Sequence, residues 1–543
     1  MQARSLARAA VIVGIAYVLS NLTGLGQRII VTSRFGTSVE YDAFNAAFRI
    51  PDLLFSLLAG GALASAFIPT FTARLSTNQQ ALAWKMALAV GGLVFVFLGA
   101  VAIAAGLLAP AIVHGVIAPG FSESTVALTA ALMRVMLIST VIFGISGLLM
   151  GVLQSNNSFI APAVAPSLYN IGIIFGATVL SSQGIYGVAA GVVLGAFLHL
   201  AIQLPALFRL LRALKQSLDK QYSAHATVSE SPISNLQSLQ SPQLLTDIRN
   251  VIRLMLPRIL GLGAVQVNLI VTVSLASAMG EGAVSALNIA FATLILPQAA
   301  IAQATATVLF PTISAHAARG ERAEFANALT RAINVVIALS APAAIGLILL
   351  GQPIIRLLFE RNNFNQQSTS AVAFALVWYA VGLVGHSVLE IITRGFYALH
   401  DTLRPVILSV ASMILNVALS LLLSSAFRAN DLPPFGGLAL ANSIATALET
   451  VLLYALLARR VPELDMGRTL TASLKSTLAA GAMALALWVW LNRLGMGNLS
   501  ALLAIAAGGA VYFGVAWLLR SDETKFAISI VRARLLRRNA QNG

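Results

Sequence analysis

The chain has 543 residues, of which 58% are hydrophobic and 10% charged, and its mean hydropathy is +0.86. A soluble chain of this length would carry about a quarter charged residues, so a soluble globular fold is excluded. The absence of cysteine removes disulfides, thiolate metal sites and cysteine nucleophiles, and the net charge of +15 has to be tested against membrane topology before nucleic acid is invoked.

Segments long enough to cross a hydrocarbon core, about 20 apolar residues each, fall at 8–33, 44–72, 86–111, 125–153, 158–180, 184–208, 254–278, 283–311, 332–351, 370–393, 405–427, 435–458, 470–492 and 498–519. They predict an all-α polytopic membrane protein of about 14 transmembrane helices. The short basic flank up to Arg8 leads into a first helix with no clear cleavage site, so that helix reads as a retained span rather than a removed signal peptide. With the N-terminus taken as cytoplasmic, twenty-five lysines and arginines fall on that side, against Arg356, Arg361, Arg428 and Arg493 in the opposite loops. This positive-inside bias puts both termini in the cytoplasm and accounts for the basic charge without nucleic acid. The basic tail from Arg532 to Arg538 reads as lying on anionic membrane lipids.

The one long hydrophilic stretch, 215–247, is rich in Ser and Gln and poor in apolar periodicity, which predicts a flexible cytoplasmic linker. It separates a first lobe, 1–214 with helices 1–6, from a second, 248–460 with helices 7–12. Residues 461–543 add helices 13 and 14 and the tail. The two lobes carry one signature twice: Phe67-Ile68-Pro69-Thr70-Phe71-Thr72-Ala73 returns 242 residues later as Leu309-Phe310-Pro311-Thr312-Ile313-Ser314-Ala315, and the stretch Pro162 to Asn170 returns as Pro405 to Asn416. With an even number of spans in each lobe, the lobes enter from the same side, the pattern of two parallel six-helix repeats about an axis along the membrane normal.

Channels, rotary subunits and respiratory proton pumps require acidic rings, paired haem histidines or carboxylate chains within the bilayer. The ionisable residues here are instead mainly arginines, Arg28, Arg49, Arg134 and Arg258, with Asp52, Glu390 and Glu449 as the few acids. No phosphate-binding Gly-rich loop or hydrolase-like Ser, His and Asp order occurs, so neither ATP use nor an enzyme activity is expected, and neither is a cofactor or metal. His199 and His386, isolated on apolar helices, read as core histidines rather than proton relays.

An arginine at membrane depth costs at least ~2.5 kcal/mol unless it faces a wet cavity, an anion or an interface, and guanidinium forks onto phosphate. Arg28, Arg49 and Arg258 are therefore the candidate contacts for an anionic, phosphate-bearing headgroup. The alternatives stand beside this reading. Arg28 and Arg258 lie near helix ends where they can snorkel, and Arg49 with Asp52 three residues on can form a structural ion pair. Asp42, Asp52, Gln27 and Asn268 are candidate supporting polar groups, and Pro51, Pro69, Pro297 and Pro311 candidate determinants of helix geometry.

Phe35-Gly36-Thr37-Ser38 with Asp42-Ala43-Phe44, Ala47-Phe48-Arg49-Ile50-Pro51-Asp52-Leu53-Leu54 and Ala59-Gly60-Gly61-Ala62 resemble the MurJ/MviN lipid II flippases of the multidrug/oligosaccharidyl-lipid/polysaccharide exporter superfamily. So do Leu153-Gln154-Ser155-Asn156-Asn157-Ser158-Phe159, Leu358-Phe359-Glu360-Arg361 and Arg394-Gly395-Phe396-Tyr397-Ala398-Leu399 with Asp401-Thr402 and Pro405. The match runs to about residue 460. The resemblance implies fourteen helices in two lobes around a central cavity, with helices 13 and 14 forming a groove for a polyprenyl tail. It also implies translocation of undecaprenyl-pyrophosphate-linked disaccharide-pentapeptide from the inner to the outer leaflet of the bacterial cytoplasmic membrane for peptidoglycan and cell-wall synthesis, with the cell-wall synthesis machinery as partner.

The departures from the family pattern lie among its charges. Where many members have Ser-Arg-x-x-Gly-x-x-Arg followed by an acid in helix 1, this chain has Ser20-Asn21-Leu22-Thr23-Gly24-Leu25-Gly26-Gln27-Arg28. The basic residues and acid that often follow in helix 2 are Phe55, Ser56 and Gly60, the helix 8 arginine falls at Ala292, and helix 11 holds no acid. Three explanations stand: Arg28, Arg49 and Arg258 supply the charge from shifted positions; the chain is a paralog that flips another polyprenyl-linked glycan; or it is a non-transporting scaffold of envelope assembly. A drug exporter of the related multidrug type is disfavoured by the scarcity of buried acids.

Overall fold

The computed structural model describes residues 2–60, 62–77, 79–224, 242–495, 497–521 and 523, and among these it contains helices and no strand. The chain divides into two compact units, Met1–Ala278 and Met279–Gly543. The first contains α1 (Gln2–Phe35), α2 (Val39–Ala47), α3 (Arg49–Leu54) running into a π-helical turn at Phe55–Gly60, α4 (Ala62–Ser76), α5 (Gln80–Leu107), α6 (Ala109–Ile112), α7 (Glu123–Ser155), α8 (Ile160–Thr178), α9 (Ile185–Ala201), α10 (Leu204–Ala224) and α11 (Pro242–Ser277). The second contains α12 (Ala283–Gln298) running into a π-helical turn at Ala299–Gln303, α13 (Ala304–Ala318), α14 (Arg322–Phe359), α15 (Gln366–Val381), α16 (Leu383–Ala398), α17 (Leu403–Ala429), α18 (Phe435–Arg460), α19 (Met466–Leu494) and α20 (Asn498–Leu518).

Local chemistry sets these boundaries. Pro51 has no N–H to give the carbonyl four residues back, so the expected span 44–72 is not one straight helix: α2 stops at Ala47, Phe48 makes a turn, and α3 starts at Arg49. Ser122 caps α7 by accepting from Thr125 N, and Asn365 caps α15 by accepting from Ser368 N at 3.0 Å. The ends of α7 and α16 close alike. Asn157 and His400 take φ of +58°, which lets Ser158 N reach Leu153 O at 2.9 Å and Asp401 N reach Phe396 O at 3.0 Å. These two turns lie 243 residues apart, as do the starts of α7 and α15 and of α8 and α17, and the two π-helical turns fall at corresponding places behind Pro51 and Pro297.

Among the described residues ten helices are long and apolar enough to cross a membrane, and an eleventh span is counted if α15 and α16, bent by 48° at Gly382, form one. The three expected spans outside that number are 8–33, where the first side chains lie outside the described residues; 44–72, which is broken as above; and 254–278, where many side chains lie outside the described residues. The expected linker 215–247 is helical at both flanks, through Ala224 and from Pro242, and its middle, like the tail 532–538, lies outside the described residues. The helix α11, expected to open the second lobe, belongs by its contacts to the first unit.

In lipid no hydrophobic force drives helix against helix, so close packing and small residues have to do it. A Cβ on Gly191 of α9 would come within 2.8 Å of Gly172 O on α8, so the two backbones touch only because both positions are glycine. The first unit has a core of Phe67, Phe71, Met86 and Val152 to which α11 adds Leu244 and Val251. In the second unit, α14, α16 and α18 meet at Leu329, Ile333, Ile391 and Leu453. The last two helices dock on α14 through Met483, Leu487 and Tyr512, whose hydroxyl donates to Ala338 O at 2.7 Å.

Candidate functional site

The polar interior of the first unit is assembled around α3. Because Phe48 turns the chain, Arg49 and Asp52 sit on the first turns of a new helix inside the bundle, both half-buried, and within electrostatic reach of one another. The π-helical turn that follows inserts an extra residue per turn and rotates Ser56 toward α11. There Gln266, 8% exposed, donates from Nε2 to Ser56 Oγ at 2.8 Å and also hydrogen-bonds Asp52. Asp52 is thus bonded by an amide and lies in the field of a guanidinium. Arg49 presents a delocalised, permanently charged fork suited to a phosphate or carboxylate.

Aromatic rings and a second polar network back this site. Phe55 packs on Phe143 at 4.8 Å between centroids, Phe143 on Tyr169 at 5.1 Å and on His199 at 5.3 Å, and Tyr169 lies within electrostatic reach of Asp52. His199 Nδ1 is 2.7 Å from Ser146 Oγ, which accepts from Gln203 Nε2 at 2.8 Å. Asn170 on α8 reaches α1, donating to Ser20 O at 3.1 Å and to Thr23 Oγ1 at 3.2 Å. Gly24 is what allows that approach, since a Cβ there would stand 3.3 Å from the Asn170 amide nitrogen.

Of the predicted site residues, Arg49 and Asp52 come together. Arg28 is exposed on α1, within electrostatic reach of Tyr41, and Gln27 beside it is half-buried. Asp42 on α2 is 2% exposed. Asn268 is half-buried on α11, and its carbonyl accepts from Thr272 Oγ1 at 2.9 Å. The side chain of Arg258 lies outside the described residues. Pro51 lies in the first turn of α3, just after the break at Phe48, whereas Pro69, Pro297 and Pro311 lie inside α4, α12 and α13. His386, like His199, is hydrogen-bonded, with Nε2 3.0 Å from Asn442 Oδ1.

The second unit has no arginine at the place corresponding to Arg49: Ala292 stands there, half-buried. Sequence reasoning did not single out Ser56, Tyr169, Ser146 or Gln203 as site residues. Ser56 and Gln266 could have been suspected as lone polar residues in apolar stretches, but nothing local pairs them across 210 positions.

The family model described as lipid II flippase MurJ matches residues 31–507. A protein of Rhizobium meliloti (strain 1021) described as a probable lipid II flippase MurJ is 30% identical over 98% of this chain and 95% of its own length. The lipid II flippase MurJ of Burkholderia cenocepacia is 29% identical over 82% of each chain. Among solved structures, a lipid II flippase MurJ in an inward closed conformation superposes with a TM-score of 0.74 at 23% identity, over 94% of this chain and 99% of its own. An inward-facing MATE multidrug transporter of the MOP superfamily superposes with a TM-score of 0.65 at 16% identity, over 84% and 98%. The solved structures share the fold, the Rhizobium relative aligns with the chain nearly end to end, and the family model spans most of it: the chain belongs to the MurJ family of lipid II flippases.

Proposed function

We propose that the chain flips lipid II, an undecaprenyl-pyrophosphate-linked peptidoglycan precursor, from the inner to the outer leaflet of the bacterial cytoplasmic membrane. The family match over residues 31–507 carries this reading. The physical problem is to take a doubly charged pyrophosphate and a glycopeptide through hydrocarbon while the polyprenyl tail stays in lipid. Alternating access between the two repeats solves it by moving the protein around a fixed polar site. Arg49 supplies charge-assisted hydrogen bonds to the pyrophosphate, worth ~1.5–3 kcal/mol each. Asp52 and Gln266 keep its side chain from collapsing onto other acceptors, and Arg28 and Arg258 add positive charge along the path.

A second reading has one observation in its favour: the family's helix 1 arginines and helix 8 arginine are replaced, here by Asn21 and Gln27 and by Ala292. A paralog that carries another polyprenyl-linked glycan would bear such changes. The deciding experiment is to deplete the resident lipid II flippase of a bacterium, express this chain, and follow lipid II exposure on the outer leaflet. Restored exposure and growth support lipid II as substrate. A well-inserted chain that restores neither moves the assignment to another lipid-linked glycan or to a scaffold.

A further inference from the structure

Three acids lie within the expected spans, and two of them have a cationic companion. Asp52 has Arg49, and Glu390 accepts from Arg394 Nη2 at 2.8 Å. Glu449 is different. It is 8% exposed, eleven residues before the end of α18 and so about 16 Å along the helix from the arginines that close it. Its partners are hydroxyls: Ser409 Oγ donates to Oε1 at 2.5 Å, and the Ser412 hydroxyl lies beside the carboxyl with its proton donated to Ala445 O at 3.1 Å. No cation pairs with it among the described residues.

The other titratable groups on the helices packed around it are accounted for. On α16, His386 is bonded to Asn442, Glu390 to Arg394, and Tyr397 lies within electrostatic reach of that pair. On α17, Arg404 pairs with Asp401 at 3.2 Å, and Arg428 stands at the far end of the helix. Tyr379 on α15 packs its ring against Phe291 at 5.2 Å between centroids, tilted by 56°. On α18 itself, Tyr454 donates to Thr469, Arg460 pairs with Asp401, and Arg459 closes the helix. A carboxylate in hydrocarbon without a counter-charge is costly, and intramembrane acids are kept where they carry one. A hard metal cation collects about six oxygens. Around Glu449 there are the carboxyl and two serine hydroxyls, one of them already committed to a carbonyl. A proton needs only one oxygen and an acceptor, and a serine hydroxyl can turn from donor to acceptor in place.

We propose that Glu449 is a proton-binding site within the second unit, loaded and unloaded as the flippase cycles. Loading adds H⁺ to a carboxylate oxygen, with Ser409 rotating to accept from the new O–H; unloading reverses both, and no other bond changes. Proton binding stands on the geometry alone, whereas its link to cycling rests on the transport reading above.

The test is infrared difference spectroscopy of the purified full chain in lipid nanodiscs, titrated in pH, for the wild type, Glu449→Gln and Ser409→Ala. Glutamine retains an acceptor for Ser409, so the fold is kept, and monodisperse elution checks it. The expected result is a carbonyl-stretch band of a protonated carboxylic acid that titrates as one group. It is absent from Glu449→Gln, displaced in midpoint in Ser409→Ala, and unchanged when Na⁺ replaces choline. A wild type without a band that depends on Glu449, or one whose band responds to Na⁺ rather than pH, overturns the proton site. In vesicles, a pH gradient should shift the leaflet distribution of lipid II by up to about tenfold per pH unit, the leverage of one proton, in the wild type and not in Glu449→Gln. A wild type that flips lipid II with no response to the gradient while the band titrates overturns the link to cycling and leaves lipid II flipping intact.

Discussion

Removing the charge of Asp247 should loosen the N-terminal end of α11. Arg74, at the end of α4, donates from Nε and Nη2 to the two carboxylate oxygens of Asp247 at 2.8 Å each, with side chains 24% and 6% exposed. Asp247 accordingly holds the Arg74 guanidinium above its already high ordinary value, chiefly by hydrogen bonding. An exposed ion pair contributes ~0.2–1 kcal/mol, whereas stripping one partner from a buried pair costs ~3–5 kcal/mol. Here the orphaned group would be the more exposed one, and it keeps Gln79 as an acceptor. Asp247→Asn should therefore cost about 1–2 kcal/mol, a ~5- to 30-fold rise in local opening. The assay is hydrogen exchange over residues 243–250, which lie outside the expected span, with exchange at the distal turn around Asn157 as internal reference. Arg74→Lys should approach the same loss, because one ammonium cannot make both bonds. Protection within twofold of wild type in Asp247→Asn would refute the reasoning.

Gly191→Leu should lower thermal stability in detergent by at least the ~1–3 kcal/mol of an overpacked core, because its Cβ alone meets the α8 backbone; Gly481→Ala, with open space around it, should change little. Asn170→Ala gives up two hydrogen bonds to α1 and should cost ~0.6–1.7 kcal/mol, the range for such bonds between membrane helices, read as a fall in melting temperature that Tyr186→Phe, on an exposed position, does not reproduce. In the turn before α14, hydrogen bonds from Arg319 and His316 hold the Glu321 carboxyl down to about 2. Its folded value is depressed, so its stabilisation is present above the ordinary glutamate value of ~4.3 and fades as pH falls toward 2. The melting difference between wild type and Glu321→Gln should follow that course, and a difference that persists unchanged at the acid end would contradict it.

The fold class was legible because burial in lipid leaves long apolar runs, and the duplication because its prolines and turn residues are spaced as the helices are. Pro69 and Pro311 lie inside α4 and α13, and Asn157 and His400 close helices 243 residues apart. The break at Phe48 was implicit in Pro51, but the π-helical turn behind it was not, since no residue type dictates such an insertion. Arg49 and Asp52 could be found as neighbours on one helix. Gln266 could not be joined to them, because the pairing depends on α11 packing with the first unit, while the repeat pattern in the sequence puts the helix at the head of the second. The helical flanks of the linker were hidden by its Ser and Gln composition, although Leu207, Leu210, Leu211, Leu214 and Leu218 continue a helical spacing through α10.

Arg49 carries the proposed contact with substrate charge, and the most direct test is lipid II exposure on the outer leaflet in cells depleted of their own flippase and expressing wild type, Arg49→Ala, Arg49→Lys or Asp52→Asn at matched membrane levels. Loss of charge-assisted bonds worth ~1.5–3 kcal/mol predicts a ~10- to 150-fold drop in exposure rate for Arg49→Ala. Arg49→Lys should recover part of it, since charge returns without the fork, and Asp52→Asn should fall between. Full exposure with Arg49→Ala, from a chain that rescues as wild type, would show that the pyrophosphate is carried elsewhere and contradict the account.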